Sequence, residues 1–219
     1  MLSNADPKHT FLRLIDEAEL PPAFVDGIRA YRCMGTSMKI DLALSALPAV
    51  VGSTTTEPQP YHRGIMELNP FLADMDDQQA QAVAGIAADP AHIEVCFPTV
   101  HDPSLAPEGK HIVTIDVNSQ PYRLRDQEWD EVKEDRADRA IAQIAEHFPA
   151  LPGLIEHRQV LSPLDLERLL GLWGGHALHG DMSPDQLLFM RPVRGYADYR
   201  TPIRGLYLCG AGTHPGAAE

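Results

Sequence analysis

Three segments of the chain alternate apolar and polar residues with a period of two, and this alternation restricts the fold more than any other feature. In the first segment, apolar residues at 38, 40, 42 and 44 are separated by Ser37, Lys39, Asp41 and Ala43. Residues 92–97 and 112–117 follow the same rule. Strands with one buried face are typical of antiparallel or mixed sheets. With two further strands predicted at 64–68 and 155–161, the predicted class is α/β (α+β), a mixed or antiparallel sheet with helices.

Capping residues and a 3.6-residue period predict the helices between these strands. We expect them at 11–18 with Thr10 as cap, at 22–31, at 70–88 with Asn69 as cap, at 126–148, and from Pro163 with Ser162 as cap. The long helix carries an apolar stripe, and Asp135 and Arg139 form a favourable i,i+4 pair on its exposed side. After Leu172 the sequence predicts turns and short pieces, then one apolar strand at 206–209.

The charge and cysteine content exclude several classes of protein. The chain has 31 acidic and 18 basic residues, a net charge of -13, which disfavours nucleic acid as a partner. No apolar run is long enough for an integral membrane segment, and residues 1–10 lack the pattern of a secretory signal. The three isolated cysteines predict a reducing, cytoplasmic location rather than disulfides or a zinc–thiolate site.

The apolar strand at 206–209 runs into a glycine-rich turn, Gly210-Ala211-Gly212. Glycine adopts positive φ readily and leaves space for a flat or anionic ligand, and the amides of such a turn can donate to phosphate or carbonyl oxygens. A plain tight turn is the alternative interpretation. No G-x-G-x-x-G occurs anywhere in the sequence, so a free-standing dinucleotide-binding domain is not predicted.

The segment "GGHALHGDMSPDQ" is a second candidate site. His176, His179 and Asp181 have a loose H-x-x-H-x-D spacing among glycines, and metal sites need fixed geometry. Structural histidines bonded to the backbone are the better interpretation, and we predict no metal site. Ser183 is near Asp181 and His179, but the G-x-S-x-G turn that presents a nucleophilic serine is absent from the sequence, so a catalytic triad is only weakly indicated. Cys209, inside the apolar strand, is expected to be a buried, inert thiol.

One long run carries a family resemblance: "LSPLDLERLLGLWGGHALHGDMSPDQLLFMRPVRGYADYRTPIRGLYLCGAGTHPG". It resembles the phytoene-desaturase-like FAD-dependent oxidoreductases, in the branch named after pyridine nucleotide-disulfide oxidoreductase domain-containing protein 2. The segments "LSNADPKHTFLRLID", "LPPAFVDGIRAYR" and "KIDLAL" resemble the same branch, so that the resemblance covers nearly the whole chain. It implies an amine-oxidase-like fold, with a discontinuous Rossmann-like FAD domain and a substrate domain.

The resemblance also implies which residues contact the cofactor, FAD. Asn4, Ala5 and Asp6 resemble the segment that leaves the FAD domain. Seven residues resemble the returning flavin-side loop: Gly210, Ala211, Gly212, Thr213, His214, Pro215 and Gly216. We also predict a pocket between the sheet and residues 173–190, with five substrate-side candidates: Trp173, His176, His179, Asp181 and Gln186. The catalytic residues stay unknown.

These observations predict three functional parts: residues 1–8 as the exit segment of the FAD domain, 9–161 as the substrate domain, and 162–219 as the returning segment. The chain departs from the family pattern in lacking the phosphate-binding fingerprint and the glycines expected after "HPG". We therefore expect a partial FAD-dependent oxidoreductase of the desaturase, dehydrogenase or isomerase type, which passes hydride from an apolar substrate to flavin. We expect the chain alone to be inactive and not to retain FAD. A missing N-terminal half or a second copy would be its partner. The alternative is a non-catalytic binding module.

Overall fold

The computed structural model describes residues 1–34, 37–55, 57–69 and 71–216. The chain forms two compact units, described here separately. The terminal unit comprises Met1–Gly35 and Pro163–Glu219, and the sheet unit comprises Thr36–Ser162. The terminal unit therefore groups residues 9–35 with the C-terminal segment by their contacts, whereas the functional division made from the sequence stays a prediction.

The predicted α/β (α+β) class is confirmed, since the described residues form helices, a parallel strand pair and an antiparallel sheet. The strands are β1 Leu2–Ser3, β2 Ser37–Leu44, β3 Met66–Leu68, β4 Ile93–Cys96, β5 His111–Asn118, β6 Ile155–Leu161 and β7 Tyr207–Leu208. The helices are α1 Pro7–His9, α2 Pro22–Ala30, α3 Leu72–Val83, α4 Trp129–Ala145, α5 Leu151–Leu154 and α6 Pro163–Leu170. No helix among the described residues is long and apolar enough to cross a membrane.

The sheet unit is built on five antiparallel strands in the order β3-β4-β5-β2-β6. The alternation predicted three of these strands, β2, β4 and β5, in which every second residue is buried. Ile40 lies opposite Ile115, and Leu42 lies opposite Val113, so one face of the sheet is continuously apolar. Side-chain alternation thus places the core of this unit on one face.

Helix α4 covers part of that face. Ala140 and Arg136 line a small cavity together with Met38 and Val117 of the sheet. The indole of Trp129 is buried and donates to the carbonyl of Pro121 at 3.0 Å, which satisfies its only polar atom. The predicted pair of Asp135 and Arg139 is present on the exposed side at 3.0 Å.

Two predicted helix starts are wrong. The first helix begins at Pro7, because the carboxylate of Asp6 caps it by accepting from the amide of His9 at 2.8 Å. Thr10 caps no helix start; it lies at the C-terminal end of α1, its hydroxyl is 2.9 Å from that of Ser3, and a π-helix continues over Thr10–Leu14. The helix predicted at 70–88 spans only Leu72–Val83. The side-chain amide of Asn69, its predicted cap, donates to the carbonyl of Ala91 at 3.1 Å, and Pro70 lies outside the described residues.

The terminal unit contains little regular structure beyond α2, α6 and the pair β1–β7. Its core is one apolar cluster in which Phe11 and Phe24 pack edge to face at 4.8 Å. Leu206 and Leu208 of the C-terminal segment join this cluster. Short 3₁₀ turns at Trp173–Gly175 and Leu188–Met190 connect the rest. The prediction of turns followed by one strand is confirmed.

Candidate functional site

The parallel strands β1 and β7 end side by side in the terminal unit. Ser3 is paired with Leu208, and the amide of Cys209 donates to the carbonyl of Ser3 at 2.8 Å. Two turns follow these strand ends, the Asp6 turn (residues 4–7) and the glycine turn (residues 210–213). A methyl group on Gly212 would lie 2.5 Å from Cδ of Pro7, so the two turns touch. The structure thus brings together both segments that the sequence proposed for the cofactor.

The glycine turn has a defined backbone conformation. Gly210 has φ +86°, a region that glycine enters without strain. Its carbonyl accepts from both the amide and the hydroxyl of Thr213, at 3.1 and 2.7 Å. Within the described ranges, the amides of residues 5, 6 and 210–212 donate to no protein acceptor. Asp6 and Gly212 are buried, so the accessible free amides are those of Ala5, Gly210 and Ala211, and such amides favour anionic or carbonyl oxygens.

The next residues of the predicted cofactor loop pack against residues 187–190. The ring of His214 lies 5.5 Å from Phe189 and 6.5 Å from Tyr199, measured between centroids. Pro215 accepts a hydrogen bond from the amide of Leu188 at 3.0 Å. Because Phe189 is 74% exposed, this aromatic group presents an open apolar surface beside the glycine turn.

Two of the substrate-side candidates form a buried pair. Nε2 of His176 lies 3.4 Å from Oδ1 of Asp181, and the amide of Met34 donates to the same oxygen at 2.9 Å. Burial alone would raise the pKa of Asp181, but these two groups and the Arg32 guanidinium outweigh it and hold the pKa below its usual value. Asp181 therefore remains an acceptor that ties the segment to residues 32–34.

His179 lies against the glycine turn, with its Cβ 3.4 Å from the position that a methyl on Gly212 would take. Burial lowers the pKa of this imidazole, which favours the neutral ring. Nδ1 of His179 and Nδ1 of His176 are both buried without a hydrogen-bond partner in the described part of the chain. No group of three His, Cys, Asp or Glu side chains in the described ranges could hold a metal ion.

Gln186 and Trp173 lie elsewhere in the terminal unit. The side-chain amide of Gln186 pairs with the backbone of Arg32, accepting from its N–H at 2.7 Å and donating to its carbonyl at 3.1 Å. The Trp173 ring is covered by the guanidinium of Arg13 at 4.8 Å and by Lys8 at 5.7 Å. Both side chains are thus held by contacts within the unit.

Two weaker candidates have structural contacts. The hydroxyl of Ser183 accepts from Arg32 at 2.7 Å and belongs to no triad among the described residues. Cys209 was expected inside the strand but lies one residue beyond β7 and is only half-buried. Its thiol points toward the carbonyl of Ser3 at 3.5 Å, because the strand ends where the glycine turn begins.

Sequence reasoning missed Arg191, whose side chain makes five hydrogen bonds within this unit. Its guanidinium is fully buried and donates to backbone carbonyls only, including that of Ala211 in the glycine turn at 2.8 Å. Tyr31 lies beside it, and burial raises the pKa of the Tyr31 phenol. The one available signal was a single charged residue inside the apolar run at 187–193.

Comparison with known proteins identifies the relatives of this chain. It is 39% identical, over 99% of its length, to pyridine nucleotide-disulfide oxidoreductase domain-containing protein 2 of Rattus norvegicus. The resemblance to the phytoene-desaturase-like oxidoreductases is confirmed. No family model matches the chain.

More distant relatives align with about half of the chain. The chloroplastic prolycopene isomerase 1 of an Oncidium hybrid cultivar is 35% identical over 57% of the chain and 21% of its own length. The lycopene-forming phytoene desaturase of Pantoea ananas is 32% identical over 55% of the chain and 24% of its own length. The chain spans 38% of the length of the rat relative. These relatives indicate an oxidoreductase family.

Proposed function

We propose that this chain is part of an FAD-dependent oxidoreductase that transfers hydride from an apolar substrate to flavin in a desaturation or dehydrogenation, or of an isomerase of the same type, in which no net hydride is transferred. The observation that carries this proposal is the contact between the Asp6 turn and the glycine turn at the ends of two parallel strands. Ligands of open α/β sheets bind outside the carboxyl ends of the strands, which is where these turns lie.

The residues of the two turns fit FAD. Gly210 is exposed and carries no side chain, whereas Gly212 is buried against Pro7 and His179. The free amides of residues 5, 210 and 211 suit phosphate, ribityl or flavin oxygens. The carboxylate of Asp6 accepts from the amide of His9. It therefore serves as the N-cap of α1, next to the residues proposed to hold the cofactor. Residues 4–6 and 210–216 would hold the cofactor. Bound FAD would supply the hydride acceptor, and the protein would position the substrate.

The proposed apolar substrate is supported by the surface next to the glycine turn. Exposed side chains gather around His214 there, among them Leu188, Phe189 and Tyr199. Exposed apolar patches of this kind mark ligand or protein contacts. Of the five substrate-side candidates, His179 lies against the glycine turn and would help to shape the wall behind this surface. The other four, Trp173, His176, Asp181 and Gln186, make contacts elsewhere in the unit and would act only through the structure of the segment.

We further propose that the 219 residues alone do not retain FAD and are inactive, because they contain no G-x-G-x-x-G. A second candidate is a non-catalytic binding module. It is favoured by the sheet unit, which has its own antiparallel sheet and its own core around Ile40 and Ile115. Such a unit could persist as a folded binding domain without any redox chemistry.

The test is a titration of the purified chain with FAD, followed by the quenching of flavin fluorescence. It is done alone and with the remaining part of the rat relative supplied as a second polypeptide. We expect binding only with the second polypeptide, and its loss in Gly212→Ala, where the new methyl would clash with Pro7. Gly64→Ala is the control, since nothing lies within 4 Å of its new methyl. Absence of binding in both arms would favour the non-catalytic module, and tight binding by the chain alone would contradict the retention proposal.

A further inference from the structure

Arg191 is the most fully bonded side chain of the terminal unit. A guanidinium has five N–H donors. Each of the five meets a different backbone carbonyl, at 2.7 to 3.3 Å: Nε donates to Ala211, Nη1 to Asp181 and Gln186, and Nη2 to Leu178 and Gly180. One side chain therefore joins the segment 178–186 to the glycine turn.

This arrangement is unusual in charge as well as in geometry. The Arg191 side chain is 0% exposed, and within the described ranges its donors meet carbonyls and no carboxylate. A buried charge is tolerated only when it is well solvated by the protein. Here five carbonyl dipoles and the ring of Tyr31, 5.4 Å from the guanidinium carbon, provide that environment. The positive charge is thus held directly beneath the glycine turn.

The bond to Ala211 has a consequence for the amide that follows it. A trans peptide is planar, and its C=O and N–H point in opposite directions. Because the carbonyl of Ala211 is turned toward Arg191, the N–H of Gly212 is turned away from it. The preceding peptide is fixed in the same way, since the carbonyl of Gly210 is bonded to Thr213. Two bonded carbonyls therefore set the direction of two free amides.

We propose that Arg191 is the positioning residue of the glycine turn. It holds the Ala211 carbonyl inward, which fixes the direction of the buried Gly212 amide and with it the course of the turn, and its buried charge favours an anionic ligand at the exposed Gly210 end of the turn. The identity of that ligand as FAD rests on the proposed function above. The effect of Arg191 on the glycine turn does not rest on that proposed function, because the hydrogen bond to Ala211 is present in the chain without a ligand.

The test is backbone amide exchange and ¹⁵N–¹H spectra of the 219-residue chain without any ligand. In Arg191→Met we expect the amide of Thr213 to exchange at least about tenfold faster, as when buried hydrogen bonds are lost, and the Gly212 resonance to shift. Amides of the sheet unit, such as Ile115, should keep their protection. Arg194→Met is the matched control, since Arg194 is an exposed arginine three residues further along.

A second variant covers the case in which Arg191→Met does not fold. Arg191→Lys keeps the charge, but a lysine ammonium is a compact charge with three donors and cannot hold five carbonyls. We expect the same faster exchange at Thr213, to a smaller extent than in the methionine variant. Unchanged exchange at Thr213 and an unshifted Gly212 resonance in either folded variant would overturn the proposal, whether or not the chain binds flavin.

Discussion

The two units of this molecule are stabilised in different ways. The sheet unit depends on periodic apolar burial, with Ile40, Val95 and Ile115 fully buried in adjacent strands. The terminal unit has a small apolar cluster, and polar side chains that bond to backbone hold its long irregular segments. Gln186 bonds to both backbone groups of residue 32, and Arg191 bonds to five carbonyls of residues 178–186 and 211.

The difference shows where a candidate site can be built. A regular sheet satisfies its own backbone groups, so that few are left for a ligand. An irregular segment leaves backbone groups free, and each must be bonded by a side chain or remain available. In the terminal unit, Arg191 and Gln186 bond to carbonyls and an amide of the irregular segments, and the amides of Gly210 and Ala211 remain available.

Each unit contains one tryptophan, which allows the comparison to be measured. Trp129 is buried in the sheet unit, and Trp173 lies in the terminal unit. With Trp173→Phe the fluorescence reports on the sheet unit alone, and with Trp129→Phe it reports on the terminal unit alone. The two backgrounds separate the unfolding of the two units.

The largest effect is expected from the apolar core of the sheet unit. Ile115→Ala removes a fully buried side chain from a central strand, and such truncations cost about 2–5 kcal/mol of the free energy of unfolding. Urea unfolding followed by Trp129 fluorescence measures it. Ile65→Ala, at a residue that is 64% exposed in the same unit, is the control, with a change within about 0.5 kcal/mol. Equal losses in the two variants would contradict the assignment of the core.

The same contrast explains what the sequence could predict. Alternation has a fixed period, so it located β2 at Ser37–Leu44. The further strand predicted at 155–161 is β6, although its residues do not alternate. The start of α1 was missed because Thr10 was expected to cap the first helix, whereas the carboxylate of Asp6 caps it. Arg191 was missed because a single arginine forms no repeating pattern in the sequence. Its importance depends on five carbonyls whose positions are set by loops, and no local pattern encodes them.

A medium effect is expected from the side-chain bonds of the terminal unit. Gln186→Leu keeps a similar volume but removes the acceptor of the Arg32 N–H, while the Arg32 carbonyl still accepts from the amide of Asp181. The loss of hydrogen bonds at such partly buried groups costs about 0.5–1.5 kcal/mol. Unfolding followed by Trp173 fluorescence should detect the loss, while Trp129 fluorescence should not change.

The matched control for this variant is Arg194→Leu, which places the same new side chain at an exposed position of the same unit. We expect a change within about 0.5 kcal/mol there. If Gln186→Leu were as stable as this control, polar bonding of the backbone would not be what holds the irregular segment, and the contrast between the units would be lost.

The smallest effect is expected from a surface pair of the terminal unit, and it depends on pH. Both carboxylate oxygens of Asp185 accept from the Arg32 guanidinium, at 2.8 and 2.9 Å, and this pairing holds the pKa of Asp185 well below its usual range. Since the pKa is lower in the folded chain, the stabilisation is fully present above the unfolded pKa of about 3.9 and is lost as the pH falls toward the folded value.

Asp185→Asn should therefore lower the urea midpoint reported by Trp173 slightly at pH 7, and by less at pH 3. Asp198→Asn, at another exposed aspartate of the same unit, serves as the control. The pair is exposed and screened by solvent, so its contribution to stability should be small. A midpoint difference that grew at low pH, or one as large as that of Gln186→Leu, would contradict the assignment of a weak surface ion pair.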